Sequence, residues 1–332
     1  MNERENVLAV YRHQASKNSP VLLESIAMVG EYASNEQGKN GKEIRPGITL
    51  DNFGCEWDQS HGQPMNAQGF ALFDDIVQWR EKVVFPSPKS YDWDALVRLE
   101  SEKSGFDKGD KAVLFFDLIG VFDRLTACMG FEKCLMALVT DPEECRAFFE
   151  AVTSYKLELM ECAYEAMHPD IWTYHVDVCH ANGLLISPQS FRALIKPYVA
   201  RIVDAAHSYG MIAEIHTCGK FDEIVDDYIE IGVDSIMPSQ AQNDLAGILN
   251  KYGDKFVISG GWDSSGAAAM SDAPEEVIRA EARRCADEYG RLGSYVFMAF
   301  IGGVGVAPTE DEITRTAWAI DEYHKECERL GL

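Results

Sequence analysis

Apolar and polar positions along most of this chain alternate in a way that predicts strands and helices in regular succession. Short apolar runs predict strands at residues 112–119, 171–178, 211–215, 233–238, 255–259 and 294–300. Longer segments with apolar residues at helical spacing predict helices at 130–139, 142–167, 187–210, 221–231, 240–252, 274–292 and beyond 309. The strands are nearly continuous apolar runs, which is typical of a parallel sheet buried on both faces.

Local signals support several helix boundaries. Ser187 and Pro188 predict a helix start, with the serine as N-cap and the proline at the first helical position. Pro197 predicts a break or kink in the same helix, because proline cannot donate a backbone hydrogen bond. Residues 309–312 carry a capping-box pattern that predicts the start of the last helix.

The first 94 residues are less regular. Residues 3–16 predict a short helix, and residues 20–26 predict one more strand, in which Glu24 is embedded. A carboxylate in an apolar strand either faces a polar pocket at the strand end or is a buried group with its own partner. Residues 31–93 are irregular and rich in aromatic and acidic side chains, which is typical of a lid, a partner surface or a peripheral subdomain.

Repeated alternation of strands and helices favours a (β/α)8 TIM barrel over an open sheet. We therefore predict one barrel domain over residues 1–332, with residues 1–94 as an N-terminal helical and irregular extension or lid. Several polar residues directly follow predicted strands, and the carboxyl ends of barrel strands are where such enzymes keep their active sites. These residues are Asp177, His180, His216, Cys218, Gln240 and Asp263.

Charge and composition narrow the range of partners. The chain has 54 acidic residues against 30 lysines and arginines, a formal net charge of −24. This charge argues against nucleic acid or an anionic membrane as a partner, but not against a basic protein. The nine cysteines have no framework spacing, and no signal peptide or membrane-spanning run is evident. We therefore expect reduced thiols and a cytoplasmic location.

The segment from Met211 to Lys220 carries the most specific chemistry. It ends an apolar strand with His216 and Cys218, whose side chains share one face because strand side chains alternate. An imidazole and a thiol aimed into one space are typical of the start of a soft metal site. The alternative is an inward-facing histidine beside a buried cysteine that only packs.

The chain resembles the uroporphyrinogen decarboxylase superfamily. The resemblance is carried, between residues 186 and 261, by the segments ISPQSFRALIKPY, AAHSYGMIAEIHTCG, IGVDSIMPSQAQNDL and YGDKFVISGG. The N-terminal segments that are similar to its corrinoid-dependent methyltransferase branch, in particular to enzymes that demethylate methoxylated aromatics, are RENVLAVYR, DNFGCEW and DDIVQWREKVVFP. The resemblance implies the (β/α)8 fold.

The same resemblance implies a reaction. A methyl group would pass from a methylated small molecule, most specifically a methoxylated aromatic, to the Co(I) corrinoid of a partner protein. The resemblance also implies zinc on His216 and Cys218, with Asp177 or His180 as a further ligand or proton donor. A third cysteine, which the branch often carries near the last strand, is absent where this sequence reads VFMAFIGGVG. Glu24 stands where porphyrinogen decarboxylases carry an arginine-rich motif, which argues against a porphyrinogen substrate.

Four residues remain as candidates for contacts with the substrate: Glu24, Trp57, Gln240 and Asp263. Trp57 would line an apolar pocket for the ring, or would simply pack in the core. Three other functions stay open: a decarboxylase of a non-porphyrin substrate with Asp177 and His180 as acid and base, a methylcorrinoid:thiol methyltransferase, and a non-catalytic binding barrel. The sequence is compatible with a homodimer and does not identify the methyl donor.

Overall fold

The structure, a computed structural model, describes residues 1–33, 35–39, 41–60, 64–302 and 308–332. Its strands are β1 (Ile26–Val29), β2 (Glu43–Arg45), β3 (Ile48–Leu50), β4 (Glu56–Asp58), β5 (Met65–Asn66), β6 (Ala112–Asp117), β7 (Ile171–His175), β8 (Cys179–His180), β9 (Gly183–Leu184), β10 (Ile212–His216), β11 (Ser235–Ser239), β12 (Val257–Gly261) and β13 (Tyr295–Met298).

Thirteen α-helices lie in the same described segments. They are α1 (Glu3–Tyr11), α2 (Leu22–Ser25), α3 (Trp79–Lys82), α4 (Trp93–Ser104), α5 (Val121–Met129), α6 (Phe131–Thr140), α7 (Pro142–Met167), α8 (Pro188–Leu194), α9 (Lys196–Ser208), α10 (Val225–Glu230), α11 (Leu245–Tyr252), α12 (Glu275–Glu288) and α13 (Glu310–Leu330). None of the helices in this part of the chain is long and apolar enough to cross a membrane.

A curled sheet of seven parallel strands forms the centre of the fold, in the spatial order β1-β6-β7-β10-β11-β12-β13. The two ends of the sheet approach each other at a single parallel bridge between Val21 and Phe297, where the Phe297 amide donates to Pro20 O at 2.9 Å. The α/β class and the curled parallel sheet predicted from the sequence are confirmed. The eighth strand of a closed (β/α)8 barrel is not found in the described residues.

Helix α1 packs at the amino-terminal end of this sheet. Its residues Val7 and Leu8 join a buried apolar cluster with Ile212 and Val257 from the inner face of the sheet. The Tyr11 hydroxyl reaches further in and donates to Glu214 Oε2 at 2.8 Å. Burial of these apolar side chains stabilises the amino-terminal end, so the opposite, carboxyl-terminal end is left for a ligand site.

Several local predictions are confirmed. The Ser187 side chain caps α8 by accepting from the Ser190 amide, and the predicted long helix breaks into α8 and α9 just before Pro197. The capping box at the start of α13 is formed, with the Thr309 and Glu312 side chains bonding each other's backbone amides.

Two predictions in the first 94 residues are wrong. Residues 20–26, predicted as a strand, contain helix α2, and strand β1 begins only at Ile26. A short apolar run fits a buried helical turn as well as a strand, so periodicity alone could not separate the two. Residues 31–93, predicted to be irregular, contain the antiparallel sheet β2-β3-β4-β5. Its strands have only two or three residues each, which is too short to give a recognisable alternation.

Candidate functional site

A cavity of about 480 Å³ lies at the carboxyl ends of the parallel strands. Each of the seven strands contributes at least one residue to its wall, so the curled sheet forms its floor. The size is that of a small-molecule site. Much of the wall is apolar or aromatic and is formed by Met28, Phe116, Met237, Trp262, Met298 and Phe300.

Neighbouring strands β7 and β10 bring two histidines together in this cavity. The strands are parallel, and their register places His175 directly beside His216. The two imidazole rings stack with centroids 4.8 Å apart and planes 13° apart. Asp177 and Cys218, which come two residues after His175 and His216, also line the cavity. The Cys218 amide donates to Asp177 Oδ1 at 2.7 Å, which ties the two strand ends together.

Three of these side chains could together hold a metal ion. One ligand atom each from His175, Asp177 and His216 lies within 4.8 Å of the others. The Cys218 Sγ lies 3.7 Å from His216 Nε2 and adds a soft donor beside them. His216 Nδ1 is buried and has no hydrogen-bond partner within the described segments. Two imidazoles, a carboxylate and a thiol fit the donor set of zinc.

His175 is the member of this set that the sequence analysis did not single out. Its Nδ1 lies 3.2 Å from Asp123 Oδ2, and its Nε2 lies 3.3 Å from Asp177 Oδ2. A carboxylate behind one ring nitrogen is the usual outer support of a metal-binding histidine. The available signal was the pattern His175-x-Asp177, which repeats on β7 the alternation of His216-x-Cys218 on β10.

The electrostatics of the cluster set its protonation. Burial lowers the pKa of His175, but Asp177 and Asp123 outweigh burial and raise that pKa to about 10. Burial and the neighbouring His175 lower the pKa of His216 to about 3. Burial alone would raise the pKa of Asp177, but the interaction with His175 is stronger and keeps the pKa of Asp177 below its usual range. Burial and Asp177 raise the pKa of Cys218 to about 12. His216 is therefore neutral at pH 7, as a metal ligand must be, whereas His175 and Cys218 would each release a proton on binding a metal ion.

Of the other predicted site residues, Gln240 lies in the cavity wall. Its side-chain oxygen accepts from the Gly219 amide at 2.5 Å, directly after the His216-x-Cys218 pair. Gly219 has a positive φ of +101°, and an added Cβ there would lie 2.7 Å from His180 O. Gln240 thus holds a tight glycine turn that positions Cys218.

Four predicted site residues lie outside the cavity wall. Glu24 is on α2 and pairs with His324 Nε2 at 2.7 Å. Trp57 is buried in β4 and donates to Asp51 Oδ2 at 3.0 Å. His180 is exposed, and Asp263 accepts from the Ser265 amide at 3.0 Å. The structure therefore brings together Asp177, His216, Cys218 and Gln240, but not these four residues.

The N-terminal extension also contributes to the cavity wall. Glu31, Gln37 and Lys39 line it, as do Pro64 and Met65. They include the carboxylate of Glu31 and the ammonium group of Lys39, so this part of the wall is charged whereas the floor is apolar. The extension therefore supplies charged groups to the site, which the sequence did not indicate.

Comparisons with known proteins agree with this architecture. Residues 107–319, more than half of the chain, match the uroporphyrinogen decarboxylase (URO-D) family. Among curated proteins, no relative matches the chain. Among solved structures, a methyltransferase from Methanosarcina mazei is similar in fold, with a TM-score of 0.69 over 97% of this chain and 99% of that chain at 16% sequence identity. The resemblance noted in the sequence is confirmed, and the chain belongs to the uroporphyrinogen decarboxylase family.

Proposed function

We propose that this protein is a methyltransferase that moves a methyl group from a methoxylated aromatic to the Co(I) corrinoid of a partner protein. The observation that carries the proposal is the cluster of His175, Asp177, His216 and Cys218 at one wall of an otherwise largely apolar cavity. Membership of the family and the fold shared with a methyltransferase structure support it.

A methyl ether is a poor methyl donor because its leaving group is an alkoxide or a phenolate. Zinc held by three of the four groups His175, Asp177, His216 and Cys218 would keep one position open for the ether oxygen, where it would act as a Lewis acid and stabilise negative charge. The protein's own part is to hold these ligands in place. Asp123 fixes the ring of His175, and the Cys218 amide fixes Asp177.

The apolar wall suits the ring of the donor. Phe116 packs against His216 with ring centroids 4.9 Å apart, and Trp262 and Phe300 lie in the same wall. Aromatic side chains favour offset or edge contacts with a second ring. Such a lining also excludes water, which strengthens the electrostatic interactions of the metal-ligating cluster with the ether oxygen.

The partner must reach the methyl carbon from the side opposite the ether oxygen, because displacement by Co(I) is in line. In the proposed complex the corrinoid protein therefore docks over the carboxyl-terminal face of the sheet, where the cavity lies. With a net charge of −24, this chain would favour a partner surface that carries positive charge.

The test is methyl transfer itself. The purified protein is mixed with a corrinoid protein reduced to Co(I) and with a panel of methoxybenzoates and methoxyphenols, and conversion of Co(I) to methyl-Co(III) is followed by absorbance. We expect His216→Ala to slow this conversion by roughly a hundredfold or more, because it removes a ligand of the Lewis acid. The exposed His180→Ala serves as the matched histidine control and should retain the wild-type rate.

Corrinoid methylation that is absent with every donor would contradict the proposal. Loss of carbon dioxide from a carboxylated donor without any corrinoid would instead favour a decarboxylase. A rate that falls equally in His216→Ala and His180→Ala would point to a structural effect of the substitutions rather than to the metal-ligating cluster.

A further inference from the structure

A lysine lies in the wall of the cavity. Lys39 comes from the N-terminal extension, and its side chain is only 14% exposed. It pairs with Glu31, which lines the same cavity. Among the residues that the structure describes, the other charged groups of the wall belong to the metal-ligating cluster on β7 and β10. The wall of the cavity thus contains a mostly buried cation, although the net charge of the chain is −24.

Glu31 does not neutralise this site, because two lysines share it. One of its carboxylate oxygens binds Lys39, and the other binds Lys103. Glu31 alone therefore cannot balance both lysines, and a second carboxylate near them, Glu100, interacts with Lys103 and accepts from two backbone amides. Burial, followed by repulsion from Lys103, lowers the pKa of Lys39 to about 8. An anion in the cavity would stabilise the charged ammonium group.

The segment that carries Lys39 is anchored to the sheet and its helices. Three residues earlier, Glu36 is fully buried, with Lys156 Nζ of α7 at 2.7 Å and Arg124 Nη2 of α5 at 3.3 Å. The next residue, Gln37, lines the cavity, and its backbone oxygen accepts from Gln59 Nε2 at 2.9 Å. Lys39 therefore projects from a segment held in place by buried ion pairs.

We propose that Lys39 binds a carboxylate of the methyl donor, so that the preferred donors are methylated aromatic acids rather than neutral ethers. This inference rests on the proposed function and deepens it. The carboxylate would lie at the wall formed by the extension, the ring against the apolar floor, and the methoxy group at the cluster on β7 and β10. A cavity of about 480 Å³ holds one such molecule.

The experiment compares two probes that differ only in charge. Binding of 3-methoxybenzoate and of 3-methoxybenzamide to the full-length protein is measured by titration calorimetry. We expect Lys39→Gln to weaken binding of the benzoate by roughly 10- to 100-fold, the range for a charged hydrogen bond, and to leave the benzamide nearly unchanged. Lys39→Arg keeps the charge and should keep the preference. Lys42→Gln makes the same charge change at an exposed position outside the cavity wall and serves as control.

Three results would overturn the inference, and a fourth would separate it from the proposed function. Equal binding of benzoate by the wild type and Lys39→Gln, or a wild type without preference for benzoate over benzamide, overturns the inference. A loss as large in Lys42→Gln as in Lys39→Gln overturns it too, because a general charge effect would then explain the data. Benzoate binding that depends on Lys39 without any methyl transfer to Co(I) corrinoid supports the inference and overturns the proposed function.

Discussion

The buried ion pairs that join the extension to α5 and α7 predict a large effect of Lys156→Met. Lys156 Nζ lies 2.7 Å from Glu36 Oε2 and 2.6 Å from Asp117 Oδ1, and it donates to Leu118 O at 2.5 Å. The side chains of all three charged residues are inaccessible to solvent. Methionine keeps most of the side-chain volume but removes the cation, so Asp117 loses its ion-pair partner and Glu36 keeps only Arg124.

The expected effect of Lys156→Met is a loss in the free energy of unfolding. Removal of one partner from a buried ion pair costs roughly 3–5 kcal/mol, because the remaining charge stays buried. Arg124 still faces Glu36, so we expect about 3 kcal/mol, the lower end of that range. The matched control is Lys133→Met, which removes an exposed lysine paired with exposed Asp74 and should cost less than about 1 kcal/mol.

The free energy of unfolding of each variant is measured by urea denaturation with linear extrapolation. A double variant, Lys156→Met with Asp117→Asn, should recover part of the loss, because it removes the carboxylate that has lost its ion-pair partner. A loss below about 1 kcal/mol in Lys156→Met, equal to that of the Lys133→Met control, would refute the reasoning.

Two further predictions follow from the charges near the site. Burial raises the pKa of Asp117 from 3.8 to about 7, so between these values the folded protein holds a proton that the unfolded chain releases. Stability should therefore fall as the pH rises from about 4 to about 7, and urea denaturation across this range should show a flatter dependence in Asp117→Asn. Asp123→Asn removes the carboxylate behind His175 and should weaken zinc binding by roughly 10- to 100-fold in a chelator competition assay, whereas unchanged affinity would exclude its supporting role.

Much of the fold was predictable because its signals are local. The parallel strands are apolar runs, and Ser187 and Thr309 cap helices through contacts three residues away. The strand predicted at residues 20–26 is wrong, because a short apolar run fits a helical turn as well as a strand. The antiparallel sheet of the extension was not predicted, because its strands are too short to show an alternation of apolar and polar residues.

The site was predictable only in part, for a different physical reason. His216 and Cys218 lie two residues apart on one strand, so their proximity could be derived from the sequence alone. His175 joins them through strand pairing between β7 and β10, which depends on the sheet order. The environment of Lys39 depends on Glu36, whose partner Lys156 lies 120 residues away. Contacts of this kind leave no local pattern.

The metal content of freshly purified protein tests the central claim, the metal-ligating cluster, most directly. We predict about one zinc per chain in the wild type and in His180→Ala, because His175, Asp177, His216 and Cys218 supply enough ligands for a zinc site with one open position without His180. Zinc should be lost or much reduced in His216→Ala, Cys218→Ala and His175→Ala. A wild type that binds no zinc even when zinc is supplied, or zinc that remains in all three variants, would contradict the account.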